Sequence, residues 1–355
     1  MVEKWATNEG TAKYFKWVSI HASKQRQFDG LTVSALGAGT YLGPIDEVTD
    51  KLYEQALVQA GLGGVNFFDT AISYRNQRSE RILGRAIKDL AGRGVTRDQL
   101  VIATKGGYLP FEGVFEDYVR THYLDTGVIE VKDIVAESHC MTAPFLENQI
   151  ASSLKNLGLQ SIDLYYLQNP ETQLHEVGEE EFYRRLKTAF SLFEQKVQEK
   201  KIRRYGISTW NGFRTKKGAL QLSKLIQCAK DAGGAEHHFR AIQIPYNLVM
   251  LEAIKQKLFE SVKESQIAVM ASATLMQGHV KQFPKRVFEL LPKGKFPLVQ
   301  ALEFVLSTPG ICSGFCGMKK LEHWTENANV LQEPNWSDEN WTKACESLGL
   351  PVAEE

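Results

Sequence analysis

Short apolar runs alternate with stretches of helical period along the whole chain, and few folds accept that alternation. Eight runs recur: "LTVSALG" (31–37), "VNFFD" (65–69), "LVIAT" (100–104), "IDLYYL" (162–167), "IRRYGIS" (202–208), "AIQIPY" (241–246), "IAVMASA" (267–273) and "ICSGFCG" (311–317). Polar residues do not alternate within them, so both faces are expected to be covered, as in a parallel sheet flanked by helices. Between the runs, Val48, Leu52, Ala56 and Ala60, or Phe182, Leu186, Phe190, Phe193 and Val197, fall on single helical faces. Eight strand-helix units predict a closed (β/α)8 barrel. An open doubly wound sheet is the rival, because alternation alone does not show closure. A dinucleotide-binding open sheet usually carries G-x-G-x-x-G after its first strand, and "GAGTYLG" (37–43) has leucine where the third glycine belongs.

Two additions to a bare barrel are expected. Residues 11–30 read as a hairpin that turns near Asp29-Gly30 and closes the bottom of the barrel. Residues 106–142, after the third strand, form a long aromatic and acidic insertion without a clear period, the position of a lid or a substrate-facing loop. Residues 332–355 form a C-terminal tail. No repeat or linker divides residues 1–355, which read as one domain.

Composition narrows the partners. Lysine plus arginine equals aspartate plus glutamate at 42 each, so no net field attracts nucleic acid or an anionic membrane. No run of about 18 apolar residues could span a bilayer. A small-molecule partner is expected. The five cysteines (Cys140, Cys228, Cys312, Cys316, Cys345) are scattered and odd in number, the usage of a reducing, cytoplasmic setting. Cys312 and Cys316 lie four apart in a strand, which would put both on one face. With no further ligands near them they read as buried apolar residues, and no metal is expected.

In a barrel the carboxyl ends of the strands form the functional face. The polar residues there are Asp69, Lys105, Gln168, Ser208, Thr209 and Gln243. An aspartate and a lysine ending neighbouring apolar strands would meet as a pair, since a lone buried charge is costly. A purely structural ion pair satisfies that much. Tyr74, five residues past Asp69 in "DTAISY", adds a proton donor: a nearby ammonium favours phenolate and would lower the tyrosine pKa from ~10. Such a set suits carbonyl reduction.

At these residues the chain resembles the aldo-keto reductase superfamily. "FFDTAISYRNQRSERILGRAI" (67–87), "VIATKGG", "SLKNLGLQSIDLYYLQNPE", "KIRRYGIST", "IQIPYN" and "FCGMKKLEHWTEN" are similar to that family's segments in order and spacing. The resemblance implies a (β/α)8 barrel binding a nicotinamide dinucleotide, NADP(H) more often than NAD(H), and acting on a small carbonyl substrate. It places Asp69, Tyr74 and Lys105 in the catalytic tetrad. Gly39, Thr40 and Tyr41 would line the nicotinamide side, Gln243 would bond its carboxamide, and Ser208 and Thr209 would lie beside it. Glu326 and Asn327 would hold the adenine. Leu275, Gly278 and Gly317 fall among the other cofactor-contacting positions.

The family's pattern "LHNP" is "LQNP" here, so Gln168 stands where the tetrad histidine would be. A glutamine amide can polarise a carbonyl but cannot carry a proton. In "ASATLMQG", Ser272 replaces the aromatic residue that often stacks on nicotinamide and Thr274 replaces proline; His323 stands where arginine or glutamine is frequent. Lys319 and Lys320, with the start of what reads as the last helix, could still meet a 2′-phosphate. Two readings stay open: an NADP(H)-dependent carbonyl or conjugated-carbonyl reductase, and a nucleotide-binding regulatory protein with a protein partner and little turnover. Substrate choice would be set by the insertion and the tail after Asn327.

His139, ahead of a helix expected over 143–157, either packs that helix start or approaches the place of the missing histidine. "HH" (237–238) reads as an exposed loop, and "KKIRR" (200–204) straddles a helix end and a strand start rather than marking nucleic-acid contact. No G-x-S-x-G, Walker loop or H-E-x-x-H occurs.

Overall fold

The strands come first in the argument because their uninterrupted burial decides the architecture. In the computed structural model, which describes residues 4–214, 219–263, 265–292 and 296–350, all six residues of Val101–Gly106 are buried. Two strands, β1 (Gln25–Phe28) and β2 (Leu31–Ser34), form an antiparallel pair. The others are β3 (Leu36–Gly39), β4 (Phe67–Asp69), β5 (Val101–Gly106), β6 (Leu164–Gln168), β7 (Tyr205–Ser208), β8 (Phe239–Pro245), β9 (Ala268–Ser272) and β10 (Ile311–Gly317). These eight close into a barrel in the order β10-β3-β4-β5-β6-β7-β8-β9. Every neighbouring pair in it is parallel. The chain is therefore a (β/α)8 barrel, and the open sheet is excluded.

Helices cover the outside. Phe182, Leu186, Phe190 and Phe193 of the helix Glu179–Gln198 are buried, as their spacing predicts. The helix Ala143–Leu157 has the bounds expected for it. In the helix Glu47–Leu62, Ala56 and Ala60 face the barrel, but Val48 is solvent-exposed because the buried stripe runs through Tyr53 and Leu57 instead.

The amino-terminal prediction needs correcting. Residues 11–17 belong to the helix Asn8–Trp17, and the hairpin is Gln25–Ser34. Its turn is at Asp29-Gly30, as expected, with both residues at positive φ. The run read as one strand over 31–37 is thus two, β2 in the hairpin and β3 in the barrel. The hairpin does close the bottom: Phe28 stacks on Phe67 with centroids 5.9 Å apart, and Arg204 donates to the Asp29 carbonyl at 2.7 Å.

Cys312 and Cys316 do not share a face. A register shift between Ile311 and Ser313 changes the strand's phase, so Cys312 packs inside the barrel with Phe67 and Tyr166 while Cys316 joins the outer core. All five cysteines are free and buried. "HH" is not an exposed loop: His237 is buried, and His238 Nδ1 lies 2.7 Å from Glu194. Among the described residues no helix is long and apolar enough to cross a membrane, and no cluster of His, Cys, Asp and Glu could hold a metal ion.

The insertion 106–142 contains the short helices Phe115–Val119, Arg120–Leu124 and Val131–Asp133, each too brief to show a period in sequence. Its ends are pinned together: Leu109 N–H donates to Ser138 O and Cys140 N–H to Gly107 O, both at 2.8 Å. The tail runs away from the barrel mouth. Its helix Asp338–Ser347 places Trp341 5.2 Å from Phe304, and Trp336 N–H donates to Ser307 at the foot of the barrel; residues 351–355 lie outside the described residues.

Candidate active site

Four strand ends supply one hydrogen-bonded chain. Asp69, closing β4, accepts from Lys105 Nζ of β5 at 2.5 Å through Oδ2, and Lys105 also donates to the Thr70 carbonyl at 2.8 Å. Asp69 Oδ1 accepts from Gln243 Nε2 of β8 at 2.9 Å, and Gln243 Oε1 accepts from Ser208 Oγ of β7 at 2.7 Å. Lys105 has no exposed surface. It stands behind the mouth rather than lining it. Burial raises the Asp69 carboxyl and lowers the Lys105 ammonium, and each partner's charge opposes the shift. Both ends of the Gln243 amide are engaged within the protein, so its expected role toward a carboxamide starts from a fixed orientation.

Tyr74 lies over this pair, with Lys105 Nζ 4.9 Å from its ring centroid, and the Tyr41 ring meets it edge-on at 4.9 Å. The pKa direction read from sequence is overturned. Desolvation, then the Asp69 carboxylate, hold the phenol well above its ordinary value. The ammonium sits over the ring face and is already neutralised by Asp69, so it does not favour phenolate as an unpaired lysine would.

Gln168, at the end of β6, joins Asp69 and Tyr74 at the same mouth, and its Oε1 accepts from Ser73 Oγ at 3.2 Å. His139 is fully buried, with Nε2 2.8 Å from the Gln168 carbonyl. It approaches the altered position through the backbone without lining the mouth. Gly107 makes this possible: its φ of +133° suits glycine, and a Cβ there would come within 3.0 Å of both the Gln168 carbonyl and His139 Nε2.

The mouth opens into a cavity of about 510 Å³ bordered by Gly39, Thr40, Tyr41, Asp69, Ser208, Thr209, Gln243, Ser272 and Thr274. A second section, of about 200 Å³, carries Lys319, His323, Glu326 and Asn327. Leu275, Gly278 and Gly317 border both sections, which makes one long groove. Every candidate binding residue named from sequence lies on it except Lys320, which borders neither section. The helix behind Lys319 is Leu321–Ala328, which is not the last helix of the chain.

Sequence reasoning missed several lining residues. Ser73, Asn169 and Trp210 each adjoin a residue it did name, and Tyr108 is the insertion's only contribution among the described residues. Lys281 borders the far section and lies 3.3 Å from Glu326. Among the described residues none after Asn327 borders the groove, so the tail as far as Leu350 does not take the substrate-facing place expected of it.

The groove has the donor chemistry for a dinucleotide phosphate. Amide and hydroxyl groups line the mouth, while Lys319 and Lys281 border the far end; a Cβ on Gly317 between them would meet nothing within 4 Å, so backbone is accessible there.

Comparison with known proteins agrees with this architecture. The aldo-keto reductase AKR11C1 from Bacillus halodurans (holo form) superposes with a TM-score of 0.68 at 21% identity, over 94% of this chain and 98% of that one. An aldo/keto reductase from Klebsiella pneumoniae, solved in complex with NADP and acetate, superposes with a TM-score of 0.65 at 19% identity, over 94% and 98%. A putative voltage-gated potassium channel subunit beta from Schizosaccharomyces pombe is 32% identical over 185 residues, 52% of this chain. That match spans 44% of the relative's length, less than half of it. The model of the Aldo/keto reductase family matches residues 35–348, from the first barrel strand to the tail, and the chain belongs to that family.

Proposed function

We propose that the chain is an NADP(H)-dependent reductase of neutral small-molecule carbonyl or conjugated-carbonyl compounds. The observation that carries this reading is the convergence of the Tyr74 hydroxyl, the buried Asp69–Lys105 pair and the Gln168 amide at one end of a groove bordered by lysines at the other. Bound NADPH would supply hydride. Gly39, Thr40, Tyr41, Ser208, Thr209 and Ser272 would surround the nicotinamide, and Lys319, with Lys281, would meet the 2′-phosphate.

The protein's own part is proton delivery and orientation. Tyr74, protonated because burial and Asp69 raise its pKa, donates to the carbonyl oxygen as negative charge develops there. Lys105 keeps that region from becoming negative by neutralising Asp69, and Gln168 adds an N–H donor. Asp69 is the one charged side chain bordering the mouth among the described residues, and it is already paired. Nothing there compensates a substrate carboxylate. Aromatic walls from Tyr41, Tyr108 and Trp210 suit a planar, uncharged partner.

A second reading is kept by Gln168, which cannot relay a proton, and by the likeness to the putative channel subunit: a nucleotide-binding regulatory protein with a protein partner and slow turnover. Free cysteines, all buried, support a cytoplasmic setting for either reading. Titration with NADPH, followed by tryptophan fluorescence, and then single-turnover oxidation of bound NADPH by 4-nitrobenzaldehyde test both. Binding at micromolar concentration with turnover supports the reductase; binding without turnover supports the regulator; absence of binding removes both.

A further inference from the structure

Gln168 is held at its backbone carbonyl and at its side-chain amide, and from Arg185 to that carbonyl the hydrogen-bond directions are forced one after another. Arg185 can only donate, and its Nη1 gives a bond to Gln173 Oε1 at 2.8 Å. The Gln173 amide therefore cannot reverse, and its Nε2 faces His139 Nδ1 at 3.1 Å. Nδ1 must accept, so the ring proton is on Nε2, which donates to the Gln168 carbonyl at 2.8 Å. At the other end the Ser73 hydroxyl donates to Gln168 Oε1 at 3.2 Å. That leaves Nε2 of Gln168 as the end with no partner among the described residues, on a half-buried side chain bordering the groove.

We infer that Ser73 and His139 are positioning residues that present the Gln168 amide as a fixed N–H donor beside the Tyr74 hydroxyl, so that a substrate oxygen receives two hydrogen bonds. The inference rests on the reductase reading for its chemical consequence, but the clamp itself is a property of the protein alone. Ser73 sets which face of the amide meets the substrate. His139 sets where the strand end stands. Without Ser73 the amide turns freely and spends part of its time offering Oε1, an acceptor, to an oxygen that needs a donor.

The test uses the full chain labelled with 15N. The Gln168 side-chain NH2 signals are assigned by their loss in Gln168→Ala, and their order parameter is measured without cofactor. We expect a value close to that of rigid backbone, about 0.85, falling below about 0.6 in Ser73→Ala and recovering in Ser73→Thr, which keeps the hydroxyl. With NADPH and 4-nitrobenzaldehyde, Ser73→Ala should lower kcat roughly 10-fold, leave the Kd for NADPH within about twofold, and cost nothing further in a Gln168→Ala background. His139→Phe keeps a ring without the N–H and should lower kcat in the same direction. An amide that is equally ordered in wild type and Ser73→Ala overturns the inference, as does an equal fall in kcat with and without Gln168. If wild type binds NADPH but reduces nothing, the reductase reading fails while the order parameter still decides the clamp.

Discussion

Tyr74 is the residue on which the proposed chemistry turns. Tyr74→Phe removes the hydroxyl while keeping the ring against Tyr41, so turnover should fall about 100-fold or more with NADPH affinity nearly unchanged. Because desolvation and Asp69 hold the phenol above its usual value, it stays protonated through neutrality. Reduction should change less than about twofold between about pH 6 and 9. An alkaline fall in kcat centred near pH 8 in wild type and absent in Tyr74→Phe would show that Lys105 lowers the phenol after all. Gln168→His supplies an ionisable donor at the same strand end and should raise reduction of 4-nitrobenzaldehyde, with one oriented donor worth up to ~3 kcal/mol and part of that already present in the amide. No gain in the variant would direct attention to Ser272. Asp69, Lys105 and Gln168 were legible in the sequence because a polar residue ending an apolar strand has one place to go. Ser73, Tyr108 and Trp210 were not, since a loop residue's side-chain direction depends on partners distant in sequence.

At the scale of elements, the neck of the insertion carries its own pH dependence. His139 is buried and its pKa is pulled from 6.5 to about 4, desolvation outweighing its bond to Gln168. Between those values the unfolded chain binds a proton that the folded chain refuses. Stability present above pH 6.5 is therefore lost as pH falls toward about 4, by about 3 kcal/mol in all. His139→Phe should be less stable than wild type at pH 7 yet lose about 3 kcal/mol less on acidification, as read from urea unfolding at pH 7 and pH 4. Equal acid losses in the two proteins would mean that other groups dominate. The element types of the barrel were readable from periodicity, unlike the helix Asn8–Trp17, but phase was not. The break at Ala35 between β2 and β3 and the shift inside β10 leave no mark in hydrophobicity, because the residues on either side are buried whichever way they point.

For the molecule as a whole, the proposed chemistry lies at the mouth of the barrel, and the hairpin closes the opposite end. Asp29, at the hairpin turn, binds the guanidinium of Arg204 and lies 3.3 Å from Arg240 Nε. Asp29→Ala leaves Arg204 buried with fewer partners and should lower stability by about 1–3 kcal/mol, with NADPH affinity and kcat unchanged because the hairpin does not border the groove. A matching loss of affinity in thermal and fluorescence titrations would contradict that division. Eightfold alternation announced the barrel, whereas the course of residues 328–350 down its side could not be read, since a polar segment with a few aromatic residues fits equally well over either end. Closure itself has a consequence for how the chain comes to be made. β3 pairs with β10 through Leu36 and Gly314, so during synthesis the first barrel strand waits for the last one. Until β10 leaves the ribosome, the nascent chain has two raw sheet edges, β3 and β9, with no covering partner of its own. Over that interval the two open edges are where this chain would pair edge to edge with another.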